Sequence, residues 1–307
     1  MDLIAVTLSI AALFVLMGAG FAARKHGIFG PSRVHLLSHI LVNFAIPALT
    51  LTSMQVPRTG AAVGMAATAL TVAFGYYFAA FALSLIICRF LPATPREKGV
   101  FQFMLVFPNV GFMGIPVAEV ILGQSSLFYV VLFNLPFNLL VFTLGIWLLA
   151  HERPEKKPGF RLFLTPGLIA SVLGLALFLA GYSIPFPIST ALSWIGQATT
   201  PLAMVVVGAL LATLPVRHLA GDWRIVAISA LRLLVIPALA LLLLAPILPD
   251  RILLMSTVLL IGMPVASSTV LLSDEYGVDA TLASQGVFLS TLLCLATIPL
   301  LDLLFLS

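Results

Sequence analysis

Charge is what this chain has least of. Only 8% of its 307 residues are charged, against 61% that are hydrophobic, a balance foreign to soluble folds and to disordered chains alike. No hydrophilic stretch is long enough to fold as a soluble domain. Cysteine is nearly absent. Cys88 and Cys294 lie in apolar runs at no redox or metal-ligand spacing, which points to structural roles. There is no HExxH, no Gly-x-Ser-x-Gly and no nucleotide-binding loop, so zinc proteolysis, serine hydrolysis and direct ATP drive have no support. His26, His35, His39, His151 and His218 fall in loops or at span ends, and the pair His35/His39 lacks a third ligand nearby. No metal, cofactor or catalytic group is therefore expected.

What the chain does have is apolar length. Mean hydropathy is +1.18, and hydrophobic runs recur at about 20 residues, enough for a helix to cross about 30 Å of hydrocarbon. They fall at roughly 3–23, 34–54, 62–90, 98–121, 126–150, 162–182, 189–213, 223–247, 252–273 and 280–304, which predicts an all-α polytopic membrane protein of ten spans. The longest polar loop, residues 151–161, separates residues 1–150 from 162–307, five spans on each side.

Loop charge predicts orientation. With the amino terminus outside, the inner loops hold Arg24, Lys25, Arg33, Arg89, Arg96, Lys98, Arg153, Lys156, Lys157, Arg161, Arg217 and Arg224, whereas the outer loops hold only Arg58 and Arg251. That asymmetry places both termini outside, in the plasma or inner membrane. The net charge of +4 then reports topology and contact with anionic lipid, not a nucleic-acid partner. The first apolar run follows Asp2 and precedes its basic cluster, the order of a retained first helix and not of a cleaved signal.

Two spans carry residues that break helices. Phe107-Pro108-Asn109-Val110-Gly111-Phe112-Met113-Gly114-Ile115-Pro116 interrupts span 4, and Gly262-Met263-Pro264-Val265-Ala266-Ser267-Ser268-Thr269 interrupts span 9. Proline removes an amide donor and clashes with the preceding turn, and freed backbone groups survive in lipid only where protein or a watery cavity receives them. Counted from the nearest charged loop residue, Asn109 lies about 18 Å into span 4, Pro264 about 21 Å into span 9 and Arg232 about 15 Å into span 8. All three are expected near the midplane.

Five spans per half require the second half to sit inverted. Faint duplication supports this: Asn43-Phe44-Ala45-Ile46-Pro47 matches Gln197-Ala198-Thr199-Thr200-Pro201 at an offset of 154, and Gly123 matches Gly277 at the same offset. The proline breaks need a local shift. The predicted architecture is two inverted five-helix repeats whose broken helices cross at a solute site.

Asn109-Val110-Gly111-Phe112-Met113-Gly114-Ile115-Pro116 resembles the Asn-x-x-x-Met-Gly-Ile-Pro signature of the auxin efflux carrier family, which includes plant auxin carriers and bacterial malonate and malate permeases. The likeness spans the chain, with Asn43 and Pro47 in span 2 and Pro201 and Gly208 in span 7, although the central loop is far shorter than in the long plant carriers. The resemblance implies a fold like that of NhaA and the bile-acid symporters. It further implies a scaffold from spans 1, 2, 6 and 7, a mobile unit from the rest, a homodimer and an elevator-like movement.

The candidate solute-binding residues are Asn109, Gly111, Pro108, Pro264, Ser267, Ser268, Asn43, Thr200 and Arg232. Asn109 offers a donor and an acceptor beside half-helix amides that attract anions, or else it satisfies carbonyls freed by the break. Ser267 and Ser268 contact the solute or bond back to their own helix. Pro108 and Pro264 shape the site. Asn43 and Thr200, with Gln197 and Thr199, line the path or bond neighbouring helices. Asn134 and Asn138 share a helix face and favour packing. Arg232 is a counter-charge for an anion or a clamp on carbonyls, while Glu119 is expected at the outer interface. The function expected is secondary transport of small organic anions, dicarboxylates first. Sodium- or proton-coupled transport is the alternative, and an intramembrane receptor or enzyme stands behind both.

Overall fold

A computed structural model describes residues 3–150, 165–214 and 222–303; the predicted linker at 151–161 lies outside the described residues. These form helices and, among them, no strand: α1 (Leu3–Lys25), α2 (Pro31–Ser53), α3 (Gly60–Phe90), α4 (Pro95–Val106), α5 (Val110–Leu122), α6 (Gln124–Leu149), α7 (Pro166–Ala180), α8 (Ile188–Leu211), α9 (Trp223–Leu244), α10 (Arg251–Ile261), α11 (Ser268–Glu275) and α12 (Ala280–Leu301). Seven are long and apolar enough to cross a membrane: α1, α2, α3, α6, α8, α9 and α12. The other three predicted spans contain shorter helices. Spans 4 and 9 are each split in two, into α4/α5 and α10/α11, and α7 has only 15 residues.

Helix starts follow from local chemistry. Thr94 and Glu97 form a reciprocal capping box with Pro95 in the first turn of α4, satisfying donors that no preceding turn can reach. Thr59, Thr165, Asp250 and Asp279 cap α3, α7, α10 and α12 through their side-chain oxygens. Among the described residues, positive φ occurs only at Gly27, Gly123, Gly181 and Gly277. These are two pairs at the offset of 154 read from the sequence, one pair following α1 and α7, the other following α5 and α11.

Three helices widen into a π-turn just before an Ile-Pro pair: Leu41–Ala45 before Pro47, Val110–Gly114 before Pro116, and Leu231–Val235 before Pro237. Proline cannot donate to the carbonyl four residues back and its ring crowds that carbonyl. Reaching one residue further relieves the clash without ending the helix. The N–H groups of Ile46, Gly114 and Ile236 accordingly donate to the carbonyls of Leu41, Asn109 and Leu231, each five residues earlier. At Pro201 the same conflict is resolved by a break, so α8 divides at Ala198 into Ile188–Gln197 and Thr199–Leu211.

Packing sorts the helices into two groups. α1 lies along Thr199–Leu211 of α8, while the end of α2 packs on α7 and on Ile188–Gln197 of α8. The backbones of α1 and α8 nearly touch: a Cβ at Gly208 would stand 1.8 Å from the Met17 carbonyl oxygen, and one at Gly20 would stand 2.1 Å from that of Val205. The second group joins α3 to α4 and α6, α9 to α10 and α12, and α12 to α4 and α11. At one end Arg224 ties α9 to α4, its guanidinium donating to Asp222, to Glu97 at 2.8 Å and to the Pro92 carbonyl. The two groups meet where α5 rests on α1 and α8 and where α6 rests on α7 and α2.

Candidate functional site

The two broken helices cross as a pair of extended segments. Pro108 faces Val265 in an antiparallel bridge. The Asn109 N–H donates to the Pro264 carbonyl at 2.8 Å, and the Ala266 N–H donates to the Phe107 carbonyl at 3.0 Å. Pro108 occupies the position of the bridge that exchanges no hydrogen bond with the partner strand, so its missing N–H costs nothing there. Phe107 is fully buried, its ring against those of Phe103, Tyr77 and Phe137, which seats the break in an aromatic bed.

Carbonyls at the ends of α4 and α10 are the groups such a break leaves unpaired. Arg232 gathers carbonyls from both sides of the crossing. Its Nη1 donates to the Leu105 carbonyl at 2.8 Å, its Nη2 to that of Ile261 at 2.9 Å and its Nε to that of Met263 at 3.3 Å. Nη1 also donates to the Tyr76 hydroxyl at 2.6 Å, and that hydroxyl donates to the Val106 carbonyl at 3.3 Å. Arg232 is fully buried, and its charge lies against the negative ends of two helix dipoles. The carbonyl-clamp alternative is the geometry found. On the remaining side, the Val265 N–H donates to the Ser290 hydroxyl at 3.1 Å.

The positive ends are arranged differently. α5 and α11 both begin at the crossing, so their opening amides, those of Gly111 and Phe112 and of Ser267 and Ser268, have no preceding turn to bond to. Asn109 is 3% exposed and caps nothing on its own helix; its Nδ2 donates to the Ser267 hydroxyl at 3.4 Å. The Ser268 hydroxyl is buried without a hydrogen-bond partner. A Cβ at Gly111 would meet only the Asn134 Oδ1, 3.9 Å away, so this glycine borders open space. Asn134 donates to the Val110 carbonyl at 3.4 Å and to that of Val130 in its own helix. Two half-helix amino termini thus meet at the crossing, with the Ser267 hydroxyl and the Asn109 and Asn134 carboxamides beside them and no acidic side chain in their hydrogen bonds.

The structure therefore brings together Pro108, Asn109, Gly111, Pro264, Ser267, Ser268 and Arg232. It does not add Asn43 or Thr200 to this set. Asn43 donates to the carbonyl of His39 in its own helix at 2.7 Å. The Thr200 hydroxyl donates to Glu119, and Glu119 also accepts from Gln124 at 2.6 Å. Glu119 is thus half-buried between helices. Tyr76 and Ser290 were not singled out from the sequence. Neither carries a charge or breaks its helix, and only the partner each one meets distinguishes it.

A family model described as "Membrane transport protein" matches residues 5–159 and residues 155–301. An uncharacterized transporter of Methanothermobacter thermautotrophicus is 28% identical, over 96% of this chain and 96% of its own. A protein of Rhizobium meliloti named "Putative malonate transporter" is 27% identical over 85% of this chain and 84% of its own. An uncharacterized transporter of Escherichia coli K12 is 25% identical over 65% of this chain and 67% of its own.

Proposed function

The chain belongs to the membrane transport protein family, that of the auxin efflux carriers, and from this premise we propose that it carries small dicarboxylates, malonate or malate among them, across the bilayer as a secondary transporter. One observation carries the reading. The crossing neutralises its own carbonyl ends with Arg232, while the amino-terminal ends of α5 and α11 open beside Asn109 and Ser267. A carboxylate fits such a place, because helix amino termini present both N–H donors and partial positive charge.

In this reading the solute meets Asn109, Ser267, Ser268 and the backbone at Gly111. Pro108 and Pro264 hold the segments extended, and Arg232 holds the crossing from behind. Asn43 and Thr200 contribute to the path and not to the contact. The chain has ten spans in two inverted repeats, an arrangement supported by the glycine pairs at a common offset and by the matching splits of spans 4 and 9. Both termini lie outside the inner membrane, two copies assemble, and the group containing α3–α6 and α9–α12 slides as a unit against α1, α2, α7 and α8.

The test is uptake of labelled malonate, malate and succinate into proteoliposomes, with thermal shift of the purified protein run in parallel. Stabilisation and uptake of at least one dicarboxylate are expected, and Asn109→Ala should remove uptake while the protein remains folded. Stabilisation only by cations or neutral sugars would overturn the anion reading.

A further inference from the structure

Glu119 and Thr200 join the two groups of helices at one hydrogen bond, and nothing in the solute site requires it. We propose that this pair is a breakable latch that holds α5, the half-helix carrying the solute site, against α8 of the stationary group. The inference rests on the reading of the α5 group as the moving body.

The chemistry is specific. The Thr200 hydroxyl donates to Glu119 Oε2, while Gln124 Nε2 donates to Oε1 at 2.6 Å, so both carboxylate oxygens are engaged. Pro201 breaks α8 at Ala198 and creates a new amino terminus at Thr199–Leu211. The Glu119 carboxylate is bonded in the first turn of that segment, where the helix dipole favours a negative charge. Freeing a carboxyl group held on both of its oxygens leaves polar atoms that must find new partners, which costs free energy. The two ends belong to different bodies. α8 is fixed to α1 by backbone contacts at Gly208 and Gly20, and α5 is fixed to α10 and α11 by the Asn109 and Ala266 bridge. Glu119 lies ten residues beyond Asn109 on α5, about 15 Å along the helix, so the bond acts on the site at a distance and does not touch the solute. Any sliding of α5 along α8 must break it.

The experiment compares wild type with Thr200→Val, Thr200→Ser, Glu119→Ala and the Glu119→Ala/Thr200→Val double variant. Hydrogen–deuterium exchange of α5 is measured in nanodiscs, and dicarboxylate uptake is measured in proteoliposomes across a concentration series. A latch predicts about tenfold faster exchange at α5 for Thr200→Val and for Glu119→Ala, the size of one hydrogen bond. The double variant should add nothing further, and Thr200→Ser should restore wild-type behaviour. Vmax should change with KM held within about twofold, as for an interaction that controls a conformational step. A rise in KM for Thr200→Val alone would make Thr200 a solute ligand and overturn the latch. Additive effects, or a lower melting temperature with unchanged exchange and Vmax, would reduce the pair to a structural contact and overturn it as well. If wild type moves no dicarboxylate, the transport reading fails while the exchange data still decide the latch.

Discussion

Arg232 and Leu105 are 127 residues apart in the chain, yet the guanidinium of one donates to the carbonyl of the other at 2.8 Å. The same guanidinium reaches Ile261 and Met263, so a single cation closes the carboxyl-terminal ends of both broken helices. The cost of an intramembrane charge is offset by carbonyl groups that would otherwise face hydrocarbon unpaired.

Arg232→Met should therefore be among the most damaging single changes. It strands three buried carbonyls, each worth about 1–3 kcal/mol when left unsatisfied. Loss of folded protein on size exclusion, or a fall in melting temperature well beyond that of Arg232→Lys, is the expected result. The ammonium of lysine carries the charge but lacks the fork that spans several acceptors. A stable Arg232→Met protein would show that water serves these carbonyls instead.

Gly111 and Gly208 predict opposite outcomes for the same chemical change. Gly111→Ala adds a methyl into space whose nearest atom is 3.9 Å away, so folding should be unaffected while dicarboxylate uptake falls severalfold. Gly208→Ala drives a methyl to 1.8 Å from the Met17 carbonyl oxygen and should destabilise by about 1–3 kcal/mol or more through overpacking. Gly18→Ala, on α1 with nothing within 4 Å, is the control that should melt like wild type.

The cluster at Arg224 predicts an acid sensitivity. The hydrogen bond from Arg224 is the main cause that holds the carboxyls of both Glu97 and Asp222 below their ordinary values. A carboxyl depressed in the folded state stabilises fully above its unfolded pKa, and that stability drains away as pH falls through the folded value. The melting temperature should consequently drop as pH is lowered below about 4, the ordinary carboxylate range. In Arg224→Met that slope should flatten. The groups are partly exposed, so raised salt should weaken the effect as well.

Ser267→Ala separates the two sides of the crossing. Its hydroxyl accepts from Asn109, but the bridge itself is made by the backbone of Phe107, Asn109, Pro264 and Ala266. Melting should move by less than about 1.5 kcal/mol, the worth of one ordinary hydrogen bond, while KM for the dicarboxylate rises severalfold. Unchanged KM would remove Ser267 from the solute site.

The broken helices and the residues that meet at their crossing were legible in the sequence because proline, asparagine and arginine stand out against an apolar background. Counting residues from loop charges sufficed to bring Asn109, Pro264 and Arg232 to one depth, and they are found within one network. The register between the breaks was not legible. Pro108 pairs with Val265 and not with Pro264, and such pairing is fixed by extended backbone whose length no helical count measures. The contact between Glu119 and Thr200 escaped for a related reason. Depth arithmetic assumes straight helices, whereas α8 breaks at Ala198. The π-turns were hidden too, since Ile-Pro within a span signals a disturbance without saying whether the helix will widen, as at Pro47, or stop, as it does three residues before Pro201.

The bridge between Phe107–Asn109 and Pro264–Ala266 also imposes an order on biogenesis. Asn109 and Ser267 are separated by 158 residues, so α4 and α5 are synthesised long before their partners exist. Until α10 and α11 follow, the Phe107 carbonyl and the Asn109 amide have no protein group to meet, and Leu105 waits likewise for Arg232. Long-range closures of this kind are slow and leave the nascent chain exposed to misassembly. The first half of the chain therefore leaves the ribosome as an unfinished object, and a truncation before Arg232 should be a substrate for membrane quality control, not a small stable protein.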